Sequence, residues 1–290
     1  IMDKKTKDAL TKELKNKTLL ITGGAGSIGS VLVKKILEFP VKTVRVLDID
    51  EHALFKLNRS INDKRLRLLL GSITDKERIE MAGHNVDIIL HLAAIKNIEI
   101  SEFNPIETID TNVQGMINLV KMSMINKPTK FLNVSTDKAA EASTLYGTTK
   151  QICERLASWA GVHMEQTKFA SIRLGNVRET RGNVFEVWKK EKENNKPLSI
   201  THPKMERYFF HVDEAVEHIL KCIILINLGE IFVPKMKSYM IKDLASEISK
   251  KQKIVGLRQG EKIEETLITQ EEKKNAQEKN NMWIIQQYSC

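Results

Sequence analysis

The sequence predicts an α/β fold, a doubly wound parallel sheet that is followed by a smaller C-terminal lobe. Three observations support this prediction. Short apolar runs recur along the first 176 residues, segments long enough for helices separate them, and a glycine-rich turn follows the first run. Nearly continuous apolar runs are typical of parallel strands that helices cover on both faces. Strand–helix alternation at this spacing predicts a doubly wound sheet.

The predicted elements follow one another along the chain. Six apolar runs predict strands, at 18–22, 43–48, 67–71, 86–94, 129–136 and 169–176. After residue 176 the alternation breaks at two prolines, and 212–227 then has the pattern of a helix. We therefore predict a nucleotide-binding domain over 1–176, on which 206–228 packs back, and a substrate-binding lobe formed mainly by 177–290.

Composition restricts the kind of protein. Of the 290 residues 41% are hydrophobic and 29% are charged, values typical of a globular protein. The formal charge of +9 suits an anionic small substrate such as a nucleotide, or a nucleic-acid or membrane surface. Because the basic residues are scattered, without a long basic block, we interpret them as a solvated surface. We expect neither a nucleic-acid partner nor a membrane partner.

Cysteine use and the apolar segments predict the compartment. Cys153, Cys222 and Cys290 lie far apart without metal-ligand spacing, which indicates a reducing compartment, no disulfide framework and no metal site. The opening 1–17 is charged, unlike a signal peptide. The longest apolar stretch, 219–228, is too short to span a bilayer and contains a lysine. We expect a cytoplasmic protein.

The glycine-rich turn "ITGGAGSIGS" lies between the first strand and a helix. Gly24, Gly26 and Gly29 satisfy the pattern GxGxxG, and Gly23, Gly26 and Gly29 satisfy GxxGxxG. Glycine permits a tight turn and lets the backbone approach a pyrophosphate, which the helix N-terminus then stabilises. The placement of this turn predicts a Rossmann-like dinucleotide-binding domain.

Asp48 ends the second strand, roughly 20 residues past the glycine turn, where an acid bonds a ribose 2′-hydroxyl. A carboxylate at this point repels a 2′-phosphate, so it favours NAD over NADP. The alternative is that Asp48 merely caps the next helix.

The stretch "STDKAAEASTLYGTTK", from Ser135 to Lys150, contains the second motif. Tyr146 and Lys150 are four residues apart, which puts both side chains on one face of a helix. An ammonium group, joined by the nicotinamide ribose, lowers a phenol's pKa from about 10 toward working pH. Tyr146 is then a base that takes a hydroxyl proton while hydride leaves the same carbon.

With these motifs the sequence resembles the extended short-chain dehydrogenase/reductases that modify sugar nucleotides. It is similar to the CapD-type polysaccharide biosynthesis group, and most similar to the inverting UDP-N-acetylglucosamine 4,6-dehydratases. Asp137 and Lys138 stand where simple reductases and 4-epimerases usually have Ser or Thr. The other stretches that carry the resemblance are 91–112, 172–184, 200–216, 229–245 and 253–268.

The resemblance implies catalytic roles. Tyr146 would be the base at the carbon 4 hydroxyl, and Lys150 would hold the ribose. Lys138 would take the carbon 5 proton and Asp137 would protonate the leaving carbon 6 hydroxyl. Thr136 would bond the sugar near carbon 4. The alternative for Asp137 and Lys138 is a turn at a strand end with a solvated lysine.

The resemblance and the glycine motif also imply binding residues. The predicted cofactor contacts, besides Tyr146 and Lys150, are Gly23, Gly26, Ser27, Ile28, Gly29, Asp48, Ser72, Ile73, Leu92, Ala93, Ala94 and Lys96. The predicted substrate contacts are Lys96, Thr136, Asn176, Arg181, Arg207, Arg258 and Glu261. For Arg207 the alternative to a phosphate contact is a pair with Asp213 or Glu214.

Three departures from the family pattern bear on the site. Residues 141–144 replace an Asn-Pro pair before Tyr146, and Gln259 replaces a proline. The segment 178–180 replaces a small, glycine-containing stretch and adds an Arg and a Glu, which we expect near the sugar pocket.

We therefore predict an NAD-dependent UDP-N-acetylglucosamine 4,6-dehydratase that inverts carbon 5, acting as a homo-oligomer like its relatives. Three alternatives stay open at this point. They are a UDP-sugar 4-epimerase, which would leave Asp137 and Lys138 without a task, a carbon-5-retaining dehydratase, and a nucleotide-binding scaffold without chemistry.

Overall fold

The six predicted strands form one parallel sheet in the computed structural model, which describes residues 2–258 and 260–288. Gln259 and Cys290 lie outside the described residues. The strands run in the order β3-β2-β1-β4-β5-β6, which reverses direction between β1 and β4 as in a doubly wound fold. The predicted fold class is confirmed. The bounds are β1 Thr18–Thr22, β2 Thr43–Asp48, β3 Leu66–Leu70, β4 Ile88–His91, β5 Lys130–Thr136 and β6 Lys168–Leu174.

Strands from the C-terminal half extend this sheet and also build two small ones. β10 pairs in parallel with β6, and β14 and β13 follow antiparallel, so part of 177–290 completes the large sheet. β11, β9 and β7 form a three-stranded sheet, and β12 pairs with β8. The division at residue 176 stays a prediction. The bounds are β7 Asn176–Val177, β8 Leu198–Ile200, β9 Glu206–Phe210, β10 Glu230–Pro234, β11 Ser238–Met240, β12 Gln252–Ile254, β13 Ala276–Lys279 and β14 Met282–Ile285.

Helices cover both faces of the large sheet. α1, α2 and α10 pack on one face, and α4, α7 and α8 pack on the other. A π-helical turn, Asp110–Gln114, joins α6 to α7, and a 3₁₀ turn, Asp137–Ala139, follows β5. The bounds are α1 Lys4–Leu14, α2 Ser27–Leu37, α3 Glu51–Ser60, α4 Lys76–Gly83, α5 Ile98–Phe103, α6 Pro105–Ile109, α7 Gly115–Asn126, α8 Leu145–His163, α9 Val184–Glu193, α10 Val212–Leu225, α11 Ile241–Ile248 and α12 Gln270–Lys274.

The helix α10 lies on the large sheet, as its apolar spacing requires. Ile219 and Cys222 are fully buried in the same core as Leu32 of α2. The strand just before α10, β9, does not join the large sheet. It pairs with β7 and β11 in the three-stranded sheet. No helix within 2–258 and 260–288 is long and apolar enough to cross a membrane.

The topology gathers the candidate site at one edge of the sheet. Parallel strands end at the same edge, and ligands of doubly wound sheets bind there, beside the reversal in strand order. The glycine turn follows β1, Asp48 ends β2, and Leu92 follows β4. Thr136 ends β5, and its 3₁₀ turn leads toward α8. All the sequence motifs therefore meet at this edge.

Candidate active site

The glycine turn forms a cradle that larger residues would fill. Gly23 has φ +67°, and a Cβ there would lie 2.7 Å from the Cα of Ala93. A Cβ on Gly29 would lie 2.5 Å from the carbonyl oxygen of Gly23. Gly26 precedes α2 and brings no capping side chain to its first turn. Close backbone and uncapped N–H groups fit a pyrophosphate, so these residues fit a dinucleotide.

Asp48 braces this cradle. Its Oδ2 accepts a hydrogen bond from the Ala25 N–H at 3.0 Å, and its Oδ1 accepts one from the Asp50 N–H at 3.1 Å. Asp50 caps α3, accepting from the Ala53 N–H at 2.9 Å, so Asp48 is not the cap of that helix. Because a carboxylate accepts about four hydrogen bonds, Asp48 keeps capacity for a ribose hydroxyl.

We predict that Asp48→Asn weakens binding of NAD by about tenfold and narrows the preference for NAD over NADP, since the charge that repels a 2′-phosphate is lost. Titration of both dinucleotides, followed by calorimetry, measures the two dissociation constants. Glu51→Gln is the matched control, because Glu51 is an exposed carboxylate in the first turn of α3. An unchanged ratio of the two constants would contradict the assignment of Asp48.

The predicted residues after β3 and β4 lie at the same edge of the sheet as the glycine turn. Ser72 hydrogen-bonds Thr74 through their hydroxyls at 2.8 Å, and Ile73 is buried. The Leu92 N–H donates to the Thr22 carbonyl at 3.0 Å, which holds the turn after β4 beside the glycines. The remaining predicted cofactor residues at this edge are Ser27, Ile28, Ala93 and Ala94.

Arg181 and Lys96 meet on the cofactor side of this edge. The Arg181 N–H donates to Ser27 Oγ at 3.1 Å, and Lys96 Nζ donates to the Arg181 carbonyl at 3.0 Å. The Arg181 guanidinium lies 3.7 Å from an Asp50 carboxylate oxygen and is two-thirds exposed. Burial, aided by the Arg181 charge, lowers the pKa of Lys96. The Arg181 backbone thus lies against the glycine turn, and the assignment of Arg181 to the UDP portion stays a prediction.

Thr136, Asp137 and Lys138 form a connected cluster at the end of β5. The Thr136 hydroxyl donates to Asp137 Oδ1 at 3.0 Å. Lys138 Nζ lies 3.0 Å from the same oxygen and 3.7 Å from Oε1 of Glu265. The Asp137 side chain is fully buried, and its Oδ2 has no hydrogen-bond partner among the described residues. The lysine is thus an ion-paired group in the site, contrary to the alternative of a solvated turn residue.

Helix α8 supplies Tyr146 and Lys150. Thr144 caps the helix, accepting from the Gly147 N–H at 3.1 Å. Gly147 lets the helix approach the 3₁₀ turn, since a Cβ there would lie 2.5 Å from the Lys138 carbonyl oxygen. The absence of a side chain at one position therefore brings the Tyr146 and Lys150 helix against the Asp137–Lys138 turn.

Burial and neighbouring charges shift the pKa values of the basic groups. Burial alone lowers the pKa of an amine, but in Lys138 the carboxylates of Asp137 and Glu265 outweigh it and raise the pKa. Burial lowers the pKa of Lys150. The sequence-based base role of Lys138 therefore requires that its ammonium first lose a proton.

Burial raises the pKa of the Tyr146 phenol, and the Lys138 ammonium and a hydrogen bond with Thr136 oppose that rise. The sequence assigned this tuning to Lys150 acting together with a bound ribose, and that assignment stays a prediction. His91 is buried and hydrogen-bonded to Thr22 at 2.7 Å. Burial lowers the pKa of His91 to about 3, so it is a neutral, structural residue.

Arg207 is held by protein groups near the site, and its predicted contact with a phosphate stays a prediction. Its guanidinium is buried and donates to the carbonyl oxygens of Ile263 at 3.0 Å and Lys262 at 2.8 Å. It also lies 3.6 Å from a Glu261 carboxylate oxygen. Neither predicted alternative partner, Asp213 or Glu214, is the counter-ion. Arg207 also donates to the Glu206 carbonyl at 2.7 Å, so it connects β9 to the segment 260–268.

The other predicted substrate residues lie around Arg207. Asn176 donates through Nδ2 to the Tyr208 carbonyl at 3.0 Å. The Arg258 N–H donates to Glu261 Oε2 at 3.1 Å, so Glu261 pairs with the backbone of Arg258. Their contacts with a nucleotide stay a prediction.

Glu141, Ser143 and Glu265 were missed by reasoning from the sequence. The Ser143 hydroxyl donates to the Gly260 carbonyl at 2.7 Å, and the Thr266 hydroxyl donates to Glu141 Oε2 at 2.9 Å. The unusual stretch 141–144 therefore fastens the segment 260–268 over the site. A run of acids gave no spacing signal that singled out Glu265.

The added residues at 178–180 contact the lobe instead of the cluster. The Arg178 guanidinium lies between two rings, 5.5 Å from the centre of Phe185 and 5.3 Å from that of Tyr239. Glu179 hydrogen-bonds His211 at 2.7 Å and accepts from the Val212 N–H at 2.9 Å. The expectation that both residues alter the sugar pocket has no support in these contacts.

No group of three or more His, Cys, Asp and Glu side chains in the described part of the chain is arranged to hold a metal ion. The charged cluster and the cofactor cradle lie at the same edge of the sheet.

Known proteins are similar in sequence to this chain over most of its length. It is 40% identical over 289 residues to an uncharacterized membrane protein of Methanocaldococcus jannaschii, covering 94% of this chain and 87% of that one. It is 34% identical over 275 residues to a UDP-N-acetylglucosamine 4,6-dehydratase (inverting) of Campylobacter jejuni, covering 93% and 82%. It is 33% identical over 282 residues to a UDP-glucose 4-epimerase of Rickettsia bellii, covering 93% and 83%.

A solved structure and a family model agree with these relatives. The X-ray structure of Pen from Bacillus thuringiensis superposes with a TM-score of 0.90 at 32% identity, covering 94% of this chain and 90% of that one. The family model described as "Polysaccharide biosynthesis protein" matches residues 19–287. With its glycine cradle and its Tyr146 and Lys150 helix, the chain belongs to this polysaccharide biosynthesis family, in the extended short-chain dehydrogenase/reductase fold.

Proposed function

We propose that the protein is an NAD-dependent UDP-N-acetylglucosamine 4,6-dehydratase that inverts carbon 5. One observation carries the proposal, the buried Asp137 that pairs with Lys138 at 3.0 Å beside the helix of Tyr146 and Lys150. An acid and an amine next to a tyrosine base match the three proton transfers that sugar dehydration requires. The Campylobacter relative of that name supports the same activity.

In this proposal, residues of the chain would hold a dinucleotide cofactor and a nucleotide-sugar substrate next to the cluster. A nicotinamide bound in the glycine cradle would supply the oxidation at carbon 4 of the sugar and the matching reduction at carbon 6. The backbone of the glycine turn holds the pyrophosphate, Asp48 the adenosine ribose, and Lys150 the nicotinamide ribose. Arg258 and Asn176 hold the UDP portion of the substrate.

The residues of the chain then move the protons. Tyr146 takes the proton of the carbon 4 hydroxyl, and the ketone that forms acidifies the hydrogen on carbon 5. The neutral amine of Lys138 takes that proton, and the electron pair forms the bond between carbons 5 and 6 as the bond from carbon 6 to oxygen breaks. Asp137 protonates the departing oxygen, which leaves as water. A proton from solvent then adds to the opposite face of carbon 5, which inverts that centre, and Lys138 returns the proton that it took to solvent.

Thr136 can balance the protons of this cycle. Tyr146 gains one proton per turnover, and Asp137 loses one. The Thr136 hydroxyl donates to Asp137 at 3.0 Å and is hydrogen-bonded with Tyr146. A relay along these two hydrogen bonds delivers the proton from the carbon 4 hydroxyl to the carboxylate that needs it. The proton removed from the sugar at carbon 4 thus ends on the departing water.

Proton NMR of the protein with NAD and UDP-N-acetylglucosamine in deuterated water tests the proposal. The expected product is a 4-keto-6-deoxy sugar with deuterium at carbon 5, whose ring couplings report inversion. Couplings of an uninverted ring would make the enzyme a retaining dehydratase. No turnover with UDP-N-acetylglucosamine or other UDP-sugars would contradict an enzymatic role.

A UDP-sugar 4-epimerase is the second candidate, supported by the similarity to the Rickettsia epimerase over 93% of this chain. That reaction uses Tyr146, Lys150 and the cofactor alone. Its signature in the same experiment is UDP-N-acetylgalactosamine without deuterium at carbon 5. The buried Asp137 and Lys138 pair favours the dehydratase, because an epimerase gives this pair no proton to move.

A further inference from the structure

We infer that Glu265 is a positioning residue for the base Lys138, supplied to the active site by the C-terminal segment 260–268. The inference rests on the proposed function and adds a residue to it. The Glu265 carboxylate lies 3.7 Å from Lys138 Nζ, opposite the Asp137 pair at 3.0 Å. The Glu265 side chain is 6% exposed and the Lys138 side chain 16%, so water screens their attraction little.

The segment that carries Glu265 is anchored on both sides of it. Before Glu265, the Arg207 guanidinium holds the carbonyl oxygens of Lys262 and Ile263 at 2.8 and 3.0 Å. After it, the Thr266 hydroxyl bonds Glu141 at 2.9 Å. A carboxylate between two such anchors loses little freedom when it meets an ammonium group, because its backbone is already placed.

The second carboxylate matters at the moment of proton transfer. While Asp137 carries the proton that it will donate to the leaving oxygen, it is neutral and no longer balances a positive charge. Lys138 becomes an ammonium when it takes the carbon 5 proton. Glu265 is then the ionised carboxylate next to that ammonium, and it stabilises the charge that develops on the base.

Every charged group that faces Lys138 contributes to its protonation. Asp137 and Glu265 favour the ammonium, and Arg207 opposes it. The phenol of Tyr146 lies close enough that the Lys138 charge acts on it. Glu265 is the carboxylate of this set that transfers no proton in the proposed cycle, so its charge can be removed without removing the proposed acid.

Glu265→Gln tests the role in catalysis, with Glu264→Gln as the matched control, because Glu264 is the adjacent and exposed carboxylate. Proton transfer needs the neutral amine, whose fraction rises as pH increases through the pKa of Lys138. Loss of the Glu265 charge lowers that pKa, so the acid-side limb of the kcat profile should move to lower pH. The plateau above the limb should fall about tenfold, because the developing ammonium loses its counter-ion.

Three variant profiles in the kinetic experiment test the role of Glu265 beside Lys138. Glu265→Asp keeps the negative charge, so the acid-side limb of its kcat profile should lie at the same pH as in wild type. Glu264→Gln should reproduce the wild-type profile. A Glu265→Gln profile that coincides with that of wild type, in protein with unchanged thermal unfolding, would overturn the role of Glu265.

Trace acetylation of the substrate-free protein with acetic anhydride, across a series of pH values, separates this inference from the proposed function. Mass spectrometry of the peptide that contains Lys138 gives the titration midpoint of its amine without any sugar. We expect a lower midpoint in Glu265→Gln than in wild type, and an unchanged midpoint would overturn the inference. If wild type forms no deuterated product, the proposed function fails, and the labelling still decides whether Glu265 controls this amine.

Discussion

Lys138→Ala is expected to abolish dehydration of UDP-N-acetylglucosamine, with kcat falling by about 10²–10⁴-fold, since the variant lacks the amine proposed to take the carbon 5 proton. The kcat of Lys138→Arg should fall by the same factor. A guanidinium keeps the ion pairs with Asp137 and Glu265, but it does not lose its proton in a protein. The pair of variants thus separates loss of the base from loss of the positive charge.

The measurement is deuterium incorporation at carbon 5, followed by NMR alongside thermal unfolding. Lys121→Ala, at an exposed position of α7, is the control and should match wild type. Retained dehydration in Lys138→Arg would refute the role of Lys138 as base. Conversion to UDP-N-acetylgalactosamine at the wild-type rate in both variants would instead favour the epimerase.

Arg173→Met should cost about 3–5 kcal/mol of the free energy of unfolding, because it leaves buried carboxylates without their counter-ion. The Arg173 guanidinium is 1% exposed and bonds both Glu154 oxygens, at 3.1 and 2.7 Å. It also bonds both Glu272 oxygens, at 3.1 and 2.9 Å, and the Leu267 carbonyl at 2.6 Å. One side chain on β6 thereby holds α8 and the segment that precedes α12.

Denaturant unfolding of the purified variant measures this loss. Arg155→Met is the control, because Arg155 is exposed on the same helix as Glu154, and its change should stay within about 0.5 kcal/mol. The double variant with Glu154→Gln should recover part of the stability, since one buried charge is then removed. A loss below about 1 kcal/mol in Arg173→Met would show that the network is not a main support of the fold.

Local patterns determined the parallel sheet and the cofactor cradle. The central strands of the first 176 residues are nearly continuous apolar runs, so their burial on both faces can be recognised without knowing their neighbours. The glycine turn is equally local, because the positive φ of Gly23 and the close approach at Gly29 require glycine at those positions. The spacing of Tyr146 and Lys150 likewise needs only the geometry of one helix.

Contacts between distant parts of the chain decided the rest. Arg181, Arg207 and Arg258 have the same chemistry in the sequence, and only the fold sends the first to the glycine turn and buries the second against the backbone of 262–263. Glu265 is 127 residues from Lys138, and Glu264 beside it is exposed. Charged side chains are assigned to a partner by three-dimensional proximity, which no local periodicity encodes. The sequence by itself therefore determined the sheet, the cradle and the reactive pairs, and the tertiary structure decided which acids and bases face them.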